Sequence, residues 1–284
     1  MFISIILLIF QEMHKQVILS VCLLLTFFNK PTFASGDKYP VGGRSSALAN
    51  ASVMLSDYWS LFHNQAGLAS LNHMEAGIFH QNGIVRELSY QALGVAVPFD
   101  NGTLGWSCQY FGYSKYHEIF TGFTYAMQLG EHLAAAVQVD YLFTHLYGMY
   151  ENSHFLTFEA GLIYKPVEKL RIGTHLLNPA GIIGMKKDQP FPSVFRMGAG
   201  YYISDELFVS TELEKDLEMP ACMKFGVEYK LTDYFFLRTG FSTQPVVHSF
   251  GIGYEWNHFI LDISVTRHNV LGYAPQCSVN YTFR

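Results

Sequence analysis

The sequence predicts an all-β protein: a transmembrane antiparallel β-barrel of about 14 strands, with a short N-terminal helical/loop hatch inside its lumen. Three observations carry the expectation. Half of the 284 residues are hydrophobic and only 14% are charged, against roughly a quarter charged in an ordinary globular domain, so something other than a core must accept apolar surface. From Met74 onward the chain divides into segments whose side chains alternate apolar with polar or small, the period-two signature of strands with two unlike faces. Beyond residue 34 there is no run of 18 apolar residues. That removes transmembrane helices and leaves the closed barrel as the other span that satisfies its backbone in lipid. A large soluble sandwich is the competing class.

Taken in order, residues 1–34 read as a cleaved signal peptide. Met13 is a better-formed start than Met1: His14 and Lys15 make a polar n-region, Val17 to Phe28 an apolar h-region, and Thr32-Phe33-Ala34 a small-residue cleavage site before Ser35. Cys22 follows Val21 inside the h-region and is a poor lipidation site. Export follows, with the cell outer membrane as destination.

Residues 35–73 form a hatch segment. Gly42-Gly43-Arg44-Ser45-Ser46 leads into Ala47 to Leu55, a helix-compatible stretch, and Asp57 to Phe62 leads into the turn-rich His63 to Leu68. Residues 74–284 form the barrel. Strands are expected at 74–81, 88–98, 103–113, 117–129, 133–146, 154–164, 170–178, 194–203, 207–215, 221–230, 234–243, 247–256, 259–267 and 276–283. The last is the cleanest: Cys277, Val279, Tyr281 and Phe283 share one face, and Gln276, Ser278, Asn280 and Thr282 the other. Val279, Tyr281 and Phe283 also make the terminal aromatic strand that barrel-assembly machinery reads. Tight turns, such as those at Asp205-Glu206 and Asn257-His258, tend to alternate with longer connections, up to 179–193 and 268–275. Short periplasmic turns opposite longer extracellular loops produce such a pattern, whereas a sandwich gives no reason for it.

If the strictly apolar face meets outer-membrane lipid, the other parity lines the lumen. In the second half it presents Arg196, Glu212, Glu214, Lys224, Glu228, Arg238, Glu255 and Asp262. A basic residue on the lipid face near the midplane costs about 2–4 kcal/mol, so these charges point inward, either as a selectivity lining or as a salt-bridged network bracing neighbouring strands. In the first half the inward parity carries small residues, among them Ala92, Gly94, Ala96, Gly105, Ala126 and Ala136. They leave volume for the hatch or for a greasy ligand.

No chemistry of catalysis is legible. Residues 35–284 hold 16 basic and 22 acidic side chains, a net charge of −6, which gives nucleic acid nothing to bind. Cys108, Cys222 and Cys277 fall on non-neighbouring strands and are expected as free thiols packed as small hydrophobes. The eleven histidines after residue 34 show no helical metal-ligand spacing, and no cysteine pair is spaced CxxC. Gly198-Ala199-Gly200 and Gly251-Ile252-Gly253 lack the third glycine and the helix of a dinucleotide fingerprint. There is no GxSxG elbow. The expectation is a protein with no enzymatic activity, cofactor or metal.

Three stretches resemble one outer-membrane barrel family, that of PorV and PorQ, itself similar to the FadL-type long-chain fatty-acid transporters. Gly42 to Leu71 is similar to the family's opening, which leads to an Asn-Pro-Ala-Gly-Leu box. Asn64, Ala66, Gly67 and Leu68 agree with the box, and Gln65 stands where its proline is expected. Phe191 to Leu237 resembles consecutive family strands, and His268 to Phe283 its C-terminus. The resemblance implies a fourteen-stranded barrel with an internal N-terminal hatch. Two functions follow from it. One is an accessory or shuttle role beside other outer-membrane proteins in type IX protein secretion, as in Bacteroidota; the alternative is transport of hydrophobic small molecules. Long extracellular loops capture ligand in the fatty-acid transporters, and the short loops here lean toward the accessory role.

Overall fold

The computed structural model describes residues 41–83, 88–148, 152–179, 191–268 and 272–283, so the expected signal peptide at 1–34 lies outside the described residues. The strands are β1 (Met74–Gln81), β2 (Tyr90–Phe99), β3 (Gly102–Tyr113), β4 (Tyr116–Gln128), β5 (Leu133–Leu146), β6 (Ser153–Val167) and β7 (Leu170–Leu177). They continue with β8 (Val194–Tyr202), β9 (Leu207–Asp216), β10 (Cys222–Thr232), β11 (Phe235–Thr243), β12 (Val246–Trp256), β13 (Phe259–His268) and β14 (Gly272–Phe283). Each pairs antiparallel with its sequence neighbours, and β1 closes the barrel on β14, from Met74 opposite Phe283 to Gln81 opposite Gln276. Closure leaves no strand edge unpaired, as a bilayer demands of its backbone.

Alternation of side chains decides which face is which. Along β13, Leu261 and Ile263 are exposed while Asp262 and Ser264 are buried; along β5, Val137, Val139 and Tyr141 are exposed while Gln138, Asp140 and Leu142 are buried. An outward face of large apolar side chains over an inward polar one is the inverse of a soluble barrel, and it is stable only with hydrocarbon outside. Among the described residues no helix is long and apolar enough to cross a membrane, so the strands make the span. The chain termini of the barrel, Met74 and Phe283, lie at the same end as the tight turns after β2, β4, β6, β8, β10 and β12; the opposite end is called the far end below.

Three expectations need correction. The stretch 268–275 is mostly strand, since β14 starts at Gly272 and Pro275 pairs with Val265. Proline is tolerated there because β1 has ended: the last β1–β14 pair is Gln81 with Gln276, the Pro275 carbonyl still accepts from Asn82 N, and the missing N–H forfeits only a bond to Asn82, past the end of the strand. Similarly β6 runs through Pro166, which sits at the register shift between Tyr164 and Val167. Finally, the alternation of turn lengths is incomplete, because β3 and β4 are joined by Ser114-Lys115 alone and β11 and β12 by Gln244-Pro245 alone.

The segment from Val41 to Leu68 lies within the ring of strands, and Ser70, Asn72 and His73 are exposed where it runs into β1. Helix α1 (Gly43–Ala47) is followed by 3-10 turns at Tyr58–Phe62 and Gln65–Ser70. The helix stops where the sequence suggested it begins, with Ala49 and Asn50 taking φ of 52° and 62°. The backbone N–H groups of Ser52 and Val53 are taken by the Glu212 carboxylate at 2.8 Å each, so they are satisfied by the barrel wall rather than by helical carbonyls. On one side Tyr58, Leu61, Phe62 and Leu68 pack against Ala92, Ala96, Ala126, Ala134, Ala136 and Ile163 of the wall; on the other, Leu48, Val53, Met54 and Leu55 pack with Phe208. Each large side chain so buried contributes about 1.5–3 kcal/mol. The small wall residues are what admit them.

Candidate functional site

Among the polar contacts that hold the internal segment to the wall, three groups stand out, each joining segment residues to the strands. In the first, Arg44 reaches Glu228 with two bonds of 2.8 and 2.7 Å and Asp57 at 2.8 Å. Burial works against the Arg44 charge, but the Glu228 and Asp57 carboxylates outweigh it and lift the guanidinium above its ordinary pKa. Glu228 in turn takes Arg238 Nε at 2.5 Å, and Arg238 also binds Asp262. In the second, Glu212 spans the Ser52 and Val53 amides and Lys224 Nζ, the latter at 3.0 Å; Lys224 reaches Glu214 at 2.7 Å, and Glu214 faces Arg196 at 2.9 Å.

The third involves the box at Asn64 to Leu68. Asn64 donates to the carbonyls of Val53 (2.6 Å), Leu162 (3.1 Å) and Thr174 (3.2 Å) and accepts from Ala66 N, tying β6 and β7 to the chain between them. That approach requires glycine on the wall, since a Cβ on Gly161 would lie 2.0 Å from Asn64 Oδ1 and one on Gly173 2.2 Å from the Val53 carbonyl oxygen. Gln65 is fully buried; its amide donates to Glu159 at 2.7 Å, and His175 Nε2 lies 2.9 Å from the same carboxylate and 3.2 Å from Gln65 Oε1. Ala66 and Leu68 are buried in the apolar cluster, with the Leu68 carbonyl accepting from Thr103, and Gly67 is pressed against Ser60.

The structure thus brings Arg196, Glu212 and Lys224 into one ion-pair cluster and Arg238 and Asp262 into another. Glu255 is inward-facing on β12 but joins no ion pair among the described residues. Val279, Tyr281 and Phe283 face outward on β14; Tyr281 packs on Phe259 and Phe283 with ring centroids 4.8 Å apart in each case. Cys108, Cys222 and Cys277 are free thiols on β3, β10 and β14. Gly198 and Gly251 face inward against Met54 and Ala47. Sequence reasoning missed Arg44, Asp57, Glu159 and His175. The inward parity of Glu159 and His175 was a readable signal, whereas nothing in the order of residues joins Arg44 to Glu228. It also understated the polarity of the first half, where Gln109, Glu118, Gln138 and Asp140 are buried beside the small residues.

Between this segment and the far end lies a cavity of about 580 Å³. Its floor includes Ser46, Ala49, Asn50 and His63, and its walls carry Tyr90, Phe111, Leu177, Val194, Val247 and Ala274. Arg196, Lys224 and Glu214 line one side, already committed to one another. It reaches Gly83, Pro192, Met219 and Gln244, next to the far-end connections. A partly apolar cleft of this size falls in the range of small-molecule sites, about 300–1,000 Å³.

No family model matches the sequence, and a search of curated proteins finds no match. Solved structures do match in shape. CymD, a monoaromatic hydrocarbon channel, superposes with a TM-score of 0.70 at 12% identity over 88% of this chain and 99% of that one. A Pseudomonas aeruginosa FadL homologue gives 0.67 at 11% over 88% and 100%, and the Pseudomonas putida toluene transporter TodX 0.63 at 12% over 87% and 100%. At such identities the likeness is one of fold: the chain has the fold of FadL-like barrels.

Proposed function

We propose that this chain is an outer-membrane channel of FadL-like type for hydrophobic small molecules, exported through a cleaved signal peptide, with residues 35–73 as its hatch. The observation that carries the reading is the cavity of about 580 Å³ above the internal segment, walled by Tyr90, Phe111, Leu177, Val194 and Val247. The likeness in fold to two hydrocarbon channels and a FadL homologue supports it. Nothing beyond sequence resemblance speaks for a PorV or PorQ role in type IX secretion. One observation favours the accessory alternative, a barrel working against other outer-membrane proteins: the two-residue connections Ser114-Lys115 and Gln244-Pro245 leave little far-end loop to capture a ligand. In the transport reading, the lumen itself captures it.

Gentle purification and native mass spectrometry with added toluene or decane separates the two. A bound hydrocarbon on a solitary barrel is expected, with binding lost in Ala274→Phe, which fills the cavity from a buried wall position. Stoichiometric protein partners with no hydrocarbon bound overturn the transport reading.

A further inference from the structure

The outward face of the barrel is electrically asymmetric. On the described strands every aspartate and glutamate lies on the inward parity, from Glu75 on β1 to Asp262 on β13. Cationic and imidazole side chains do reach the outward face, and all of them stand at the far end. His117, His145 and His154 are on the adjoining strands β4, β5 and β6; His80, Lys215, His248 and Arg267 are spread around the rest of the rim.

The three neighbouring histidines form one patch. His117 pairs directly with His145 and His154 with Phe143 across the ladders. The His117 and His145 rings are 4.9 Å apart, Tyr110 stacks on His117 at 5.7 Å, and Phe143 lies 5.2 Å from His154. His145 Nδ1 donates to Asn152 Oδ1 at 2.8 Å, and the Tyr141 hydroxyl lies 2.6 Å from His154 Nδ1. With Tyr141 as the donor in that bond, the His154 proton sits on Nε2. A neutral imidazole carries one N–H, which His145 gives to Asn152 and His154 keeps at Nε2, and a protonated one carries two. No three His, Cys, Asp or Glu side chains converge as a metal site among the described residues. The patch is therefore a bed of aromatic rings and imidazoles at the far rim, with no outward carboxylate on the described strands around it.

We infer that the β4–β6 patch of His117, His145 and His154 docks the phosphorylated head group of a glycolipid in the outer leaflet. The inference rests on the outer-membrane reading, which puts the far end at the cell surface because short turns lie on the periplasmic side. Charge complementarity identifies the occupant. Phosphate oxygens accept from N–H groups and are repelled by carboxylates, and the described strands of this face offer the first and carry none of the second outward. Acyl chains below the head group meet the apolar belt at Leu156 and Phe123, 69% and 66% exposed.

The test titrates diphosphorylated lipid A, its dephosphorylated form and phosphatidylglycerol onto the detergent-purified full chain, read by native mass spectrometry. Lipid A is expected to bind at least fivefold more tightly than either of the others. The combined variant His117→Gln/His145→Gln/His154→Gln is expected to lose that preference, and heat-modifiable gel mobility checks that it is folded. Should the triple variant fail to fold, His154→Gln alone, the most exposed of the three, is expected to weaken lipid A at least twofold. Equal binding of phosphorylated and dephosphorylated lipid, equal binding of phosphatidylglycerol, or full retention by the folded variant overturns the inference. Ala274→Phe separates the two readings: it is expected to abolish hydrocarbon binding and leave lipid A untouched.

Discussion

Gln65 occupies the position where the resembling box carries proline, and in the folded chain its amide joins Glu159 and His175 deep in the wall. A proline side chain offers neither donor nor acceptor, so this chain has exchanged a rigid turn for a polar anchor. Glu212 is more demanding still. One of its oxygens holds two backbone amides and the other faces Lys224, itself buried. Gln65→Leu, which leaves hydrogen-bonding groups of Glu159 and His175 without that partner, is expected to cost about 1–3 kcal/mol. Glu212→Leu breaks a buried ion pair and orphans two amides, and is expected to cost about 3–5 kcal/mol. Guanidinium unfolding of the detergent-solubilised barrel measures both. A Glu212 loss no larger than the Gln65 loss contradicts the assignment of Glu212 as the stronger anchor. Reading parity along the strands was enough to place Glu212 in the lumen. That it binds amides 160 and 159 residues away in sequence was not legible, because no local pattern encodes that contact.

At the scale of the element, β14 carries two jobs at once. Its inward residues Gln276, Ser278 and Asn280 are buried, and its outward Tyr281 and Phe283 join Phe259 in an aromatic group at the terminal end. Its ladder to β1 is also the seam that closes the ring. Removing Tyr281 to Arg284 deletes the pairs with Met74, Glu75 and Ala76 and leaves those β1 groups unpaired on that side, in lipid where each costs several kcal/mol. The truncated chain is expected to lose most of its heat-modifiable, membrane-embedded form in cells. Undiminished folded barrel in that deletion shows that neither the seam nor the terminal aromatic strand governs assembly. The limits of this element were less legible than its phase: Gly272 and Pro275 read as loop, and only the early end of β1 makes a proline harmless at that point.

At the scale of the whole molecule, the internal segment and the wall are complementary: bulky Tyr58, Leu61, Phe62 and Leu68 meet alanines, and Asn64 meets glycines. A lumen filled in this way passes few ions. The intact chain is expected to show little steady conductance in planar bilayers, and deletion of residues 35–71 to raise it by an order of magnitude or to prevent folding; large steady conductance from the intact chain rules out a hatch. Cysteines placed at Asp205 and Asp233, in the turns of the terminal end, are expected to escape labelling on intact cells; Lys187 and Asn269, which are expected to be labelled, lie outside the described residues.

What the sequence determined alone was the repeat and its phase. Fourteen strands and the outward apolar face follow from two-residue periodicity and from a composition too apolar for water, because both are local properties that each strand states for itself. The tertiary structure decided what fills the ring: which carboxylate meets which amide, where α1 ends, and how much volume remains above His63. Those depend on side chains brought together across a closed barrel from positions more than 100 residues apart, such as Arg44 with Glu228 and Gln65 with His175. Closure supplies those distances, and no stretch of the chain contains them.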